Sequence, residues 1–227
     1  MKILSIDTSS KICSVSILEN DTTILEKHNN DEKTHSQKLM PLISELFNET
    51  KLDLDNIDLL ACCQGPGSFT GIRIGISTVK AFSDVKHIPV IGVTSLEALA
   101  YNIKKEGYIA SIIDAKNNNV YFALYEFKNN TYKVIIPPLS TEINSILNQL
   151  HDYNNITFIG DGAMLHNELI TSILPECSFS TENIETSINT GICAFSKFND
   201  VSYVPEYSVS PIYLKKSQAE INLENGK

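Results

Sequence analysis

An internal repeat most strongly constrains the fold of this 227-residue chain. Hydrophobic periodicity and turn signals predict three strands at about 3–6, 13–18 and 22–27, followed by helix 34–51, strand 57–63, helix 69–84, strand 90–93 and helix 94–104. The same order returns as strands 108–113, 120–127 and 132–136, helix 141–150, strand 156–159, helix 164–174, a short strand near 178 and helix 188–198. A β-β-β-α-β-α-β-α order that occurs twice predicts an α/β protein of two similar halves.

The residues that end the first strand of each half support the duplication. An aspartate closes the first strand of each half, Asp7 in one and Asp114 in the other, and a polar turn follows each. Thr34 with Gln37 and Thr94 with Glu97 form capping-box patterns that predict helix starts. The boundary falls near 105–107, so we expect halves at 1–105 and 106–227.

Composition narrows the class of protein. The chain is 42% hydrophobic and 20% charged, with a net charge of -9, which is typical of a globular protein and argues against tight, unaided binding to nucleic acid. Its five cysteines form no CxxC pair, so we expect reduced thiols. No segment has the length and hydrophobicity of a membrane span, and the N-terminus turns polar too early for a signal peptide. These features predict a cytoplasmic protein without membrane attachment.

The densest glycine cluster, GPGSFTGIRIG at 65–75, holds the chain's only arginine, Arg73. It follows a strand and enters a helix, where backbone amides can bind an anion. The segment matches neither the Walker A nor the dinucleotide fingerprint, since Ile72 follows Gly71 and Thr70 takes the last glycine position. Two glycines four residues apart inside a helix each cost about 1 kcal/mol relative to alanine, so Gly71 and Gly75 favour close helix packing over phosphate binding. We expect the Arg73 guanidinium to tie this loop and helix together or to bridge to a partner subunit.

The duplicated order resembles the actin-like ATPase fold (ASKHA, ribonuclease H-like) of sugar kinases, acetate kinase and Hsp70. In that fold the two halves face a cleft, and the strand-ending aspartates and their turns form its floor. The resemblance therefore implies candidate nucleotide-binding residues: Asp7, Thr8, Ser9, Asp114, Gly160 and Gly162. Local structure offers an alternative for two of these turns: an Asx or Ser/Thr turn after Asp7, and a glycine turn with Asp161 as helix cap at 160–163.

Catalytic and metal-binding patterns are missing from the sequence. The five histidines form neither HxxxH nor HExxH, and no spacing activates a nucleophile. We therefore predict no catalytic residue, no metal ligand and no cofactor.

Four strings together resemble the TsaB (YeaZ) family of bacterial proteins, and the resemblance runs nearly end to end. They are MKILSIDTSS at 1–10, THSQKLMPLI at 34–43, GPGSFTGIRIG at 65–75 and PIYLKKSQAE at 211–220. Lysine stands at 116 and 215, where the family often has arginine.

The resemblance implies a non-catalytic subunit for tRNA modification. The family's partner TsaD shares the fold, carries the HxxxH metal motif and, with the ATPase TsaE, makes threonylcarbamoyladenosine beside the anticodon of tRNAs that read ANN codons. TsaC supplies the activated donor. In the family the first two helices pack against those of TsaD, and a homodimer can use the same surface. tRNA would be bound only through the complex.

The predicted partner interface therefore lies on the first two helices of the N-terminal half. Its residues are Leu39, Met40, Ile43, Phe47, Gly71, Ile72, Arg73, Gly75 and Ile76. The apolar arc of the first helix is wider than one core-facing stripe needs. Two other functions stay open on sequence alone: an actin-like ATP-dependent phosphotransferase, and a metal-dependent glycoprotease-like peptidase.

Overall fold

Two five-stranded sheets form the framework of the computed structural model, which describes residues 1–31, 34–181, 186–200 and 202–215. The first sheet contains β1 (Lys2–Asp7), β2 (Cys13–Glu19), β3 (Thr22–Asn29), β4 (Leu59–Cys63) and β5 (Val90–Val93). The second contains β6 (Gly107–Asp114), β7 (Asn119–Lys128), β8 (Thr131–Glu142), β9 (Ile156–Ile159) and β10 (Ser178–Phe179).

Seven α-helices are present in the described part of the chain. They are α1 (His35–Thr50), α2 (Phe69–Lys86), α3 (Ser95–Ala100), α4 (Ile143–Gln149), α5 (Asp161–Leu165), α6 (Asn167–Ile173) and α7 (Ser187–Phe198). Short 3-10 turns at Leu54–Asn56 and Leu150–Asp152 precede β4 and β9. In the described residues no helix combines the length and hydrophobicity that crossing a membrane requires.

Both sheets have the same topology. The strand order is β3-β2-β1-β4-β5 in the first and β8-β7-β6-β9-β10 in the second. In each, the first strand of the half is central, antiparallel to the second strand and parallel to the fourth. The duplicated actin-like fold predicted from the sequence is confirmed.

The sheets and helices form five layers. Alternate residues of β1 point to opposite faces, so Leu4 and Ile6 pack under α1 and α2 while Ile3 packs with α7. In the second sheet, Ile112 packs under the outer helices α4 to α6, and Ile109 packs with α3. Helices α3 and α7 contact each other and lie between the two sheets.

This central layer exchanges helices between the halves. Helix α3 belongs to the first half in sequence but packs on β6 and β7, and α7 comes from the second half but packs on β1, β2 and β4. The two halves therefore share the α3–α7 layer in space. A division into domains at 105/106 stays a prediction.

Among the element boundaries that differ from the sequence prediction, three have a clear structural reason. Helix α3 ends at Ala100 rather than near 104, because tighter turns carry the chain through Ile103, which is buried. Thr141 does not open α4, since it pairs with Val120 in the β7–β8 ladder and Glu142 is the cap. The helix predicted at 164–174 is broken at His166 into α5 and α6.

Candidate functional site

A cleft of about 760 Å³ opens between the two halves where the turns after β1 and β6 face each other. Its walls include Ser9 and Lys11 from the first turn, Gly67 from the glycine loop, and Asp114 with Lys116 from the second turn. The cleft therefore occupies the position that the fold resemblance predicts for a nucleotide. Of the six predicted nucleotide-binding residues, Ser9 and Asp114 line it.

The carboxylate of Asp7 is enclosed behind the cleft rather than presented to it. It is 1% exposed and accepts hydrogen bonds from the Ser9 N–H at 2.9 Å, the Ser9 hydroxyl at 2.7 Å and the Thr190 hydroxyl at 3.3 Å. Burial raises the pKa of Asp7, because desolvation penalises the charged form more than these donors stabilise it. Asp7 thus joins the end of β1 to α7, a structural role that the sequence did not indicate.

The buried carboxylate predicts a specific pH dependence of stability. An acid whose native pKa is raised binds its proton more tightly in the folded state, so its contribution is present below the unfolded pKa of about 3.9 and is lost as pH rises through the native value. We expect the free energy of unfolding of Asp7→Asn, relative to wild type, to increase as pH rises from about 4 to about 8. Its amide can donate to Thr190, whose own hydroxyl also contacts the Thr186 carbonyl.

Urea unfolding of both proteins across that pH range measures the effect. Asp84→Asn, which neutralises an exposed carboxylate on α2, serves as the control for net charge. A stability difference that stays constant with pH would show that Asp7 does not titrate in this way.

Thr8 is bonded to the start of α2. Its hydroxyl donates to the Gly71 carbonyl at 2.8 Å, and the side chain is 1% exposed. A Cβ on Gly71 would overlap the Thr8 carbonyl oxygen, and one on Gly75 would lie 2.5 Å from the Thr8 hydroxyl. The close packing predicted for this glycine pair is present, but the neighbour is the chain's own first turn and not a partner's helix.

The turn after β6 is held in place by the carboxylate of Asp161, at the start of α5. Asp161 accepts from the Asp114 N–H at 2.9 Å, and Asp114 in turn binds the N–H and ammonium of Lys116. Partial burial acts to raise the pKa of Asp114, but the hydrogen bonds and positive charge of Lys116 outweigh it and lower that pKa. The cleft wall here presents a paired Asp114–Lys116 rather than a free carboxylate.

Gly160 and Gly162 support this turn from behind. Gly160 has φ of 106°, which glycine adopts without strain, and a Cβ on Gly162 would lie 2.9 Å from the Asp114 nitrogen. The residue between them, Asp161, lines the cleft and is the first residue of α5 rather than its cap. The sequence signal that could have identified Asp161 is its position in the Gly-Asp-Gly turn.

Arg73 holds the C-terminal segment against α2. Its Nε donates to the Tyr213 hydroxyl at 2.7 Å, and the Tyr213 ring stacks on Phe69 with centroids 4.7 Å apart. The Ile212 N–H also donates to the Gln64 carbonyl at 2.8 Å. The glycine motif and the first residues of the 211–220 motif therefore pack together, and residues 216–220 of that motif lie outside the described residues.

Only part of the predicted partner interface is accessible on the outer side of α1 and α2. Of its nine residues, six are buried against the first sheet or the first turn: Leu39, Ile43, Gly71, Ile72, Gly75 and Ile76. Met40 is 51% exposed, Arg73 is exposed and Phe47 is half-buried. We define the outer face by Met40, Phe47, Arg73 and the half-buried Ile74.

A groove of about 490 Å³ separates the two helices beside this face. Thr34 and His35 line one side of it, and Thr70 and Ile74 line the other. His35 is fixed by a 2.8 Å hydrogen bond between its Nε2 and the Ser10 carbonyl, so it helps to position the first turn.

Titratable and sulfur-containing side chains form no metal-type cluster in the part of the chain that the structure describes, judged by groups of three or more His, Cys, Asp or Glu. All five cysteines are free; Cys177 is half-buried and the rest are buried. Burial raises the pKa of Cys13 to about 11 and that of Cys193 to about 12, so these thiols are not activated.

Comparison with known proteins matches this chain to proteins that act in the threonylcarbamoylation of tRNA adenosine. Residues 23–223 match the family model described as TsaD, tRNA N6-adenosine threonylcarbamoyltransferase. The chain is 30% identical over 223 residues to the tRNA threonylcarbamoyladenosine biosynthesis protein TsaB of Bacillus subtilis, covering 97% of this chain and 96% of that protein.

Two solved structures share the fold. YeaZ from Pseudomonas aeruginosa superposes with a TM-score of 0.78 at 22% identity, covering 94% of this chain and 99% of that one. The second is the activator of 2-hydroxyisocaproyl-CoA dehydratase from Clostridium difficile, solved with bound ADPNP. It gives a TM-score of 0.52 at 10% identity, covering 87% of this chain and 95% of that one.

Proposed function

We propose a function for this chain, which belongs to the TsaB (YeaZ) family of tRNA threonylcarbamoyladenosine biosynthesis proteins. It acts as a non-catalytic subunit in threonylcarbamoylation of the adenosine next to the anticodon in tRNAs reading ANN codons. Its role is to bind and activate the catalytic relative TsaD.

The state of the first turn supports a non-catalytic role. In an enzyme of this fold the groups after β1 would need to be free for a phosphate or a metal. Here the Asp7 carboxylate accepts from Ser9 and Thr190, and the Thr8 hydroxyl donates to Gly71. These groups serve the chain's own packing, and releasing them would leave buried polar atoms without partners, at a cost of about 1–3 kcal/mol each.

The observation that carries the proposed partner site is the outer face of α1 and α2. A half-exposed methionine, a half-buried phenylalanine and an arginine stand beside the groove between the two helices. Aromatic residues, methionine and arginine are the side chains enriched at protein interfaces. Since the TsaD family model matches most of this chain, the partner presents an equivalent helix pair, and two such pairs can pack as a four-helix bundle.

The role of tRNA follows from charge, and the other partners follow from the family. A net charge of -9 disfavours direct tRNA binding, so tRNA reaches this subunit only through the complex. TsaE joins as the ATPase of a ternary assembly. A homodimer of this chain would use the same outer face and would compete with TsaD for it. The assembly works in the cytoplasm.

An actin-like ATP-dependent phosphotransferase is the second candidate, and the cleft between the halves favours it. The cleft is large enough for a nucleotide, and a protein of the same fold has bound ADPNP. Calorimetry of the purified chain with Mg-ATP separates the two functions, because tight binding with hydrolysis would support this candidate and contradict the subunit role.

Depletion of the chain from its own cells tests the proposed function. We expect threonylcarbamoyladenosine in total tRNA, measured by mass spectrometry of nucleosides, to fall to a small fraction of its normal level and to return when the wild-type gene is supplied. Unchanged modification in depleted cells that contain no other TsaB would contradict the proposal.

A further inference from the structure

The last described segment of the chain, residues 209–215, runs from the first half to the second beside the cleft, and we name it the strap. Its start is anchored in the first half, because Val209 is 6% exposed and belongs to the core beneath α1 and α2. The Ile212 N–H then donates to the Gln64 carbonyl, at the beginning of the glycine loop that lines the cleft.

The middle of the strap is held by aromatic and cationic contacts. Tyr213 stacks on Phe69 at an interplanar angle of 11°, and the Arg73 guanidinium carbon lies 5.5 Å from the Tyr213 ring centroid. Together with the Arg73–Tyr213 hydrogen bond, these contacts fix the strap to the N-terminal turn of α2.

The end of the strap reaches the second half. Leu214 packs against the core that contains α3 and the inner face of β6 and β7. The Lys215 ammonium donates to the Ala115 carbonyl at 3.1 Å, within the turn that forms the opposite wall of the cleft. One covalent segment thus contacts both cleft walls within four residues.

We propose that the strap is a latch that fixes the separation of the two halves and keeps the cleft at one width. Proteins built of two lobes around a cleft can move them as rigid bodies about a hinge. The strap opposes that motion, since opening the cleft would pull Leu214 out of its core or Tyr213 off Phe69 and Arg73. The chain would then present its outer face on a rigid body.

The latch is a property of the chain itself and does not depend on which partner the outer face binds. Distances between spin labels on the two outer layers test it directly. Suitable exposed sites are Ser44 on α1 and Thr171 on α6, each replaced by cysteine in a Cys177→Ser background, because Cys177 is the half-buried thiol.

With the strap intact we expect a single narrow distance distribution. In the strap variant that combines Tyr213→Ala and Leu214→Ala we expect a broader distribution or a second population displaced by several ångströms, with the circular dichroism spectrum unchanged. If the double variant does not fold, Tyr213→Ala and Lys215→Ala are tested separately. We expect each of them to broaden the distance distribution in the same way.

Tyr207→Ala is the matched control. Tyr207 is 52% exposed and lies ahead of the strap, where its backbone carbonyl accepts from Ser83 in the first half. We expect it to leave the distribution as in the wild type. Folded strap variants whose distribution equals that of the wild type would overturn the proposal, and so would equal broadening by Tyr207→Ala.

Discussion

Gly71→Ala is expected to destabilise the fold strongly, although alanine is the better helix former. The new Cβ would overlap the Thr8 carbonyl oxygen and lie 2.8 Å from the His35 ring. Because the first of these is backbone at the end of a central strand, β1 or α2 must shift to make room. Overpacking that moves backbone outweighs the ~1 kcal/mol gained in helix propensity, so we expect a net loss of about 3 kcal/mol or more.

Thermal and urea unfolding measure this loss, which corresponds to a fall in the melting temperature of roughly 10 °C in a chain of this size. Ser77→Ala, at an exposed position of the same helix, is the control and should change the stability by less than about 0.5 kcal/mol. A Gly71→Ala protein as stable as the wild type would show that the glycine is not held against the first turn.

Met40→Asp is expected to dissociate the complex with TsaD while leaving the fold intact. Met40 is half-exposed on α1, so an aspartate there remains solvated in the free chain. In a helix-bundle interface the same carboxylate would be buried without a partner, which costs several kcal/mol. We expect binding to weaken at least about 30-fold, the equivalent of about 2 kcal/mol, as measured by calorimetry or co-purification.

Met164→Asp gives a closely matched control. Met164 is 45% exposed, nearly the same as Met40, but it lies on α5 in the outer layer of the second half. It introduces the same charge at the opposite end of the molecule and should bind TsaD like the wild type. Equal weakening by both substitutions would point to a general effect of charge, and no weakening by Met40→Asp would place the interface elsewhere.

The architecture was predictable because hydrophobic periodicity reports which face of a strand or helix is buried. Buried runs such as 3–6 and 108–113, each closed by an aspartate, were sufficient to locate the central strand of each sheet. The exchange of α3 and α7 was not predictable, since the apolar face of a helix does not say which sheet covers it. Thr141 was misassigned because a threonine before an apolar run suits a strand end as well as a helix cap.

At the site, the sequence indicated which residues are constrained but not what constrains them. The Gly71–Gly75 spacing correctly required a close neighbour, yet a partner's helix and the chain's own Thr8 satisfy it equally well. Asp7 ends a strand in the position of a nucleotide-site aspartate, but its contact with Thr190 spans 183 residues of sequence. The Arg73–Tyr213 pair spans 140 residues and has no local signature for the same reason.

Reconstitution of tRNA modification from purified components tests whether this chain is a non-catalytic activator of TsaD. Unmodified tRNA is supplied with the threonylcarbamoyl-adenylate donor and with this chain alone, TsaD with TsaE, or all three proteins from the same organism, and threonylcarbamoyladenosine is quantified by mass spectrometry. We expect no product from this chain alone, little from TsaD with TsaE, and sustained turnover when this chain is added. Product formed by this chain alone, or a yield from TsaD and TsaE that this chain does not raise, would contradict this expectation.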